Sequence, residues 1–174
     1  MLIFTICPYH ISGEEKGSIT ITIISQDDIN GTRVDTPLPD VVFDVYQVWK
    51  YDGFDIVFND PFKDAALISS DMSEDQIQKT VDKFYAKIGD ATVYTVTDPT
   101  NANGVSVLRD LEKGCYLFVQ KGEIEYKERK YRVMPFMVTV PRQIDGKFVL
   151  DVSAFPKLRI RRFEKPPIPE TGID

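Results

Sequence analysis

This chain of 174 residues is short of the side chains that most often carry chemistry: one histidine, one tryptophan and two cysteines. The lone histidine, His10, lies ahead of the patterned part of the chain, which excludes histidine-based triads and histidine metal sites. Neither a glycine-rich phosphate loop nor a Gly-x-Ser-x-Gly elbow occurs. Cys7 and Cys115 stand too far apart for a zinc or redox spacing and are too few for a disulfide framework. A bridge between them is compatible with an oxidising compartment but is not dictated by the spacing. Positive charge is also in deficit, with 21 basic against 27 acidic residues and a net charge of -6. That balance argues against a nucleic-acid or anionic-membrane partner held by counterion release. No run approaches the ~20 apolar residues that span a bilayer. The apolar stretch Met1–Cys7 is short and has no basic leader, so it reads at most as the remnant of a signal peptide. The acidic pairs Glu14-Glu15 and Asp27-Asp28 read as solvated turns. No enzyme activity, cofactor or metal is expected.

What the chain does have is enough apolar content, 43%, to bury one core without staples. Isoleucine and threonine alternate over Lys16–Ile23, which predicts a strand with Ile19, Ile21 and Ile23 facing inward. A turn-rich link follows, and Val41–Trp49 predicts a second, more buried strand with Trp49 at its end. Asp52 to Asp71 is irregular and reads as short strands or packed loop. The period then changes. Ser73 with Gln76 three residues on makes a capping box, Ile77, Val81, Phe84 and Ile88 share one helical face, and Gly89 supplies a C-terminal cap. An amphipathic helix of about four turns is expected.

Strand patterns resume at Thr92–Val96, Val105–Leu108 and Cys115–Gln120, with a tight connection at Glu112-Lys113-Gly114 and Cys115 as a small buried thiol. The charged stretch from Lys121 to Arg132 reads as a solvated hairpin tip. Met134–Val140 is a strand stopped by Pro141, and Lys147–Phe155 is a last long strand. Many short strands with one inserted helix predict an antiparallel β-sandwich. The expected organisation is an N-terminal extension over 1–15, a sandwich over 16–160, and an extended, semi-rigid, proline-rich tail over 161–174.

Within that tail, Ile168-Pro169-Glu170-Thr171-Gly172 resembles the sortase recognition pentapeptide, Leu-Pro-any-Thr-Gly, with isoleucine in first place. Proline keeps the peptide extended, and the glycine leaves the Thr-Gly bond open to a cysteine nucleophile. In the body, Lys16–Ile21, Thr36–Tyr46, Asn103-Gly104-Val105, Leu111–Leu117, Pro135–Pro141 and Val152–Lys157 resemble, in order, the signatures of the N-terminal domain of Gram-positive pilin subunits.

That resemblance implies a mainly β, Cna B-type sandwich, transthyretin-like (prealbumin-like) and Ig-like in build, with its helix before the glycine turn. It implies that Phe155-Pro156-Lys157 is similar to the pilin motif whose lysine amine attacks the acyl-sortase, making Lys157 a linkage lysine. Leu158 stands where asparagine is usual, and Lys157 reads equally as a solvated lysine after an edge strand. Pilin sandwiches often form a lysine–asparagine isopeptide bond beside a buried acid. Here Ile23 takes the slot of that lysine and Gln120 that of the acid, so no such bond is expected. The function implied is a secreted, cell-wall-anchored pilus subunit or adhesin that is a sortase substrate. Its partners would be the sortase, other pilin subunits or peptidoglycan, and an extracellular host protein or glycan, with no nucleic acid. The alternative is a wall-anchored module that binds a host protein or glycan without polymerising.

Overall fold

The alternating isoleucines and threonines form β1 (Gly17–Thr22), in which Ile19 and Ile21 are fully buried and the threonines partly exposed. The computed structural model describes residues 15–63 and 72–162. After β1 come β2 (Ile24–Ile29), β3 (Thr32–Pro37), β4 (Phe43–Asp52), β5 (Asp55–Phe58) and the helix α1 (Glu74–Tyr85), followed by a 3₁₀ turn at Ile88–Asp90. The chain continues through β6 (Thr95–Val96), β7 (Val105–Leu111), β8 (Gly114–Gln120), β9 (Ile124–Tyr126) and β10 (Arg129–Val133). It closes with β11 (Phe136–Val140), β12 (Arg142–Ile144), β13 (Lys147–Val149), β14 (Asp151–Ala154) and β15 (Leu158–Arg162).

The central sheet runs β11-β8-β4-β5, with β6 also on β4, and faces an outer sheet of order β14-β1-β7. Between them lies the sandwich core: Ile19, Ile21, Phe43, Val45, Tyr116, Phe118 and Val140, all fully buried. Phe118 stacks on Phe136 at 4.9 Å, and Phe43 meets both rings edge-on. A second core lies behind the central sheet, where Tyr46, Val48, Cys115 and Leu117 pack against Val81 and Phe84 of α1 and against Phe62. β4 and β8 are therefore buried on both faces, and their nearly continuous apolar sequences follow from that. A register shift between Gln47 and Trp49 re-aims the end of β4, so that Val48 and Trp49 both enter the second core.

Two glycines of the resemblance have physical reasons. A Cβ on Gly114 would sit 2.4 Å from the Trp49 carbonyl oxygen, and Gly104 has φ 72° with its Cβ position 2.3 Å from the Ile23 carbonyl oxygen. No other residue fits either place. Nearby, the buried Thr100 hydroxyl donates to the Leu38 carbonyl at 2.7 Å and accepts from the Val41 amide at 2.9 Å, closing the entry to β4.

Several expectations are corrected. The link after β1 is a hairpin, β2 with β3, turning at Asn30-Gly31 with both φ positive. α1 ends at Tyr85 rather than at Gly89, because Lys87 donates to Phe84 and the chain tightens to 3₁₀ geometry; Ile88 still packs on the second core. Lys121 to Arg132 is a hairpin, as expected, but it is not solvated throughout. Its hairpin turns at Lys127-Glu128, both at positive φ, and drives Tyr131 and Val133 of β10 into the sandwich core. Lys147–Phe155 is two strands, since the chain changes partners at Leu150: β13 pairs with β12, while β14 pairs with β1 in parallel. β15 pairs with β10 and extends to Arg162, within the segment expected as tail.

Candidate functional site

Val152 of β14 is buried in the sandwich core, and at Phe155 the chain leaves the sheet. The Lys157 carbonyl accepts the Met134 amide at 2.9 Å, which ties this crossing to the end of β10, beside the Val133–Leu158 pair. Phe155 is 74% exposed, an unusual position for a phenylalanine ring next to a core strand. Of the open clefts around it, two also reach Lys157. One, about 390 Å³, lies between α1 and β11 and is lined by Ile77, Val81, Phe136 and Met137. The other, about 440 Å³, lies on the side of Thr22, Ile24 and Ile160. Phe155-Pro156-Lys157 forms a ridge between them.

The Lys157 ammonium, 70% exposed, donates to the Glu74 carboxylate at 2.7 Å. Glu74 opens α1 immediately after the capping box, in which the Ser73 hydroxyl accepts from the Gln76 amide and the Gln76 side chain accepts from the Ser73 amide. The hydrogen bond from Lys157 holds the Glu74 carboxyl below the ordinary carboxylate range, and the same bond raises Lys157 above the ordinary lysine value. The amine is thus accessible but protonated. Sequence reasoning found Lys157 and missed Glu74; 83 residues separate them, and no local pattern links a helix start to a strand exit.

Ile168, Pro169, Glu170, Thr171 and Gly172 lie outside the described residues, as do Cys7 and His10. Ile23 is fully buried in the core. The Gln120 carboxamide accepts from the Val133 amide and donates to the Tyr131 carbonyl, so it holds β10 against the central sheet. Being neutral, it can shuttle no proton. Cys115 is a free, buried thiol, and burial pushes its pKa up to about 12. Among the described residues no cluster of His, Cys, Asp or Glu could hold a metal, and no helix is long and apolar enough to cross a membrane.

No family model and no curated protein matches the chain. Solved structures do. The full-length major pilin SpaD from Corynebacterium diphtheriae superposes with a TM-score of 0.51 at 19% identity, over 85% of this chain and 31% of that one. The fimbrial protein FimP from Actinomyces oris does so with a TM-score of 0.50 at 21% identity, over 84% of this chain and 30% of that one. The chain thus spans about a third of the length of each. Its fold is that of a domain of Gram-positive pilins, as the resemblance implied.

Proposed function

We propose that this chain is a structural subunit of a sortase-assembled pilus, or an adhesin anchored in the same way, displayed outside a Gram-positive cell. The supporting observation is the exposed Lys157 amine on its Phe-Pro-Lys ridge, on a fold shared with pilin domains. In this reading the chain has two covalent handles and no chemistry of its own. As donor, the carbonyl carbon of Thr171 is attacked by the sortase thiolate; the Thr171–Gly172 bond breaks, the glycine amine leaves with a proton, and a thioester forms. As acceptor, the Lys157 amine of another copy attacks that thioester, forming an isopeptide bond and returning the thiol. A peptidoglycan amine would take the same place in wall anchoring. Lys157 must first lose its proton and leave Glu74, so the ion pair restrains the acceptor until the enzyme engages it.

The test is incubation with class A and class C sortases and a glycine or lysine-peptide nucleophile, with products mapped by mass spectrometry. Cleavage after Thr171 and a branch at Lys157 are expected. Cleavage without any branch at Lys157 would leave a wall-anchored module that does not polymerise. Failure of both would leave the fold alone.

A further inference from the structure

We infer that the outer face of the β10–β15 ribbon is a binding site for a sulfated glycan, a function independent of the sortase reading. The net charge of -6 conceals a local reversal. Register pairs Lys130 with Arg161 and Arg132 with Arg159, while Tyr131 and Val133, between and beyond them, point into the core. The four cations therefore stand together on the opposite face, in a block about 5 Å across the strands and about 7 Å along them. Like charges directly opposed across strands destabilise a sheet. Lys130 is shared with Glu125 at 3.0 Å, but among the described residues Arg132, Arg159 and Arg161 have no acidic partner. By contrast Arg129, on the inward face of the same strand, is neutralised by both carboxylate oxygens of Asp27 at 2.6 Å.

The block lines a cleft of about 290 Å³ whose other wall is α1. Its lining holds four cations and two carboxylates, Asp82 and Glu123, and so a net charge of +2. Guanidinium groups bind tetrahedral oxyanions through a planar fork of donors, which suits sulfate. A simple phosphodiester chain presents its charges in single file, whereas this block is two cations wide and matches a chain bearing charge on both edges. Tyr85 of α1 and Pro135 line the same cleft and offer apolar ring faces to the C–H side of a sugar. Asp82 and Glu123 can accept from sugar hydroxyls and would repel a densely charged phosphate polymer.

The full chain should be titrated by calorimetry with a size-defined heparin oligosaccharide across a salt series, beside the same oligosaccharide desulfated and beside poly(glycerol phosphate). Binding that weakens steadily with salt is expected, and the Arg159→Gln/Arg161→Gln double variant should lose at least about tenfold in affinity. Its melting temperature should match or exceed that of the parent, because repulsion across the strands is relieved. Arg33→Gln, on β3 and outside the lining of the cleft, should bind as the parent does. No binding at low salt, equal binding by the double variant, or equal affinity for the desulfated or poly(glycerol phosphate) chain would each overturn the assignment.

Discussion

On one face of β4 and β8, Phe43, Val45, Tyr116 and Phe118 meet the strands of the outer sheet; on the other, Tyr46, Val48, Cys115 and Leu117 meet a helix. The strands that form the first interface are themselves tied into a sheet: β1 hydrogen-bonds to β7 and β14, and each pair fixes the register of several buried residues. The second is covered by a single helix. α1 is attached through side chains, chiefly Val81 and Phe84, and through the Lys157–Glu74 pair at its first turn. The difference is one of cooperativity. The outer sheet moves only as a hydrogen-bonded set of strands, so opening the sandwich core exposes several strands at once, while α1 can lift as a unit at the cost of its apolar contacts and one exposed ion pair.

The comparison can be broken first at Phe118, which is fully buried and stacked on Phe136. Phe118→Ala should cost about 4–5 kcal/mol and lower the urea midpoint for the whole domain in one transition. Phe84→Ala, on the helix side, should cost less, about 3 kcal/mol, because α1 can settle toward the sheet. The sharper readout is Cys115, whose thiol is protonated at neutral pH and covered by the second core. A thiol reagent should label it far faster in the Phe84 variant than global unfolding allows; labelling no faster than global unfolding would show that both faces open together. Ser73→Ala should remove the capping box and cost about 1 kcal/mol, with faster amide exchange confined to α1.

The smallest effect is at Glu74. Because its carboxyl is held below the ordinary range, any stability it confers is complete at neutral pH and fades as the pH falls through that lowered value. The raised Lys157 amine behaves in the opposite sense, its share being lost as the pH rises through the raised value. Both groups are exposed, so Glu74→Gln should leave the melting temperature unchanged. The same variant should bring the Lys157 titration, followed by NMR at its Cε, back down toward the ordinary lysine range.

What could be read along the chain was whatever repeats within a few residues. The Ile-Thr alternation placed Ile19, Ile21 and Ile23 in the core, and the Ser73–Gln76 capping box placed the start of α1. The Phe-Pro-Lys ridge was legible as a resemblance. Its ion pair was not, since Glu74 is an ordinary acid in a helix's first turn when seen locally. The inward face of 121–132 was missed because dense charge hides a period-two signal: Ile124, Tyr126, Tyr131 and Val133 mark that face amid many charged residues. The basic block on the β10–β15 ribbon was hidden in the net charge for a related reason, since a sum carries no positions.

By itself the sequence determined the strands β1, β4, β7, β8 and β11, the helix start, the tight connection at Gly114 and the burial of Cys115, because side-chain period, capping and backbone sterics act over a handful of residues. Tertiary structure alone decided that β14 joins β1 in parallel, that Lys157 meets Glu74, and that Arg132 faces Arg159. Each of those depends on the register between segments far apart in the chain. Register is chosen by the packing of the whole core, and a shift of one residue would turn the basic face inward.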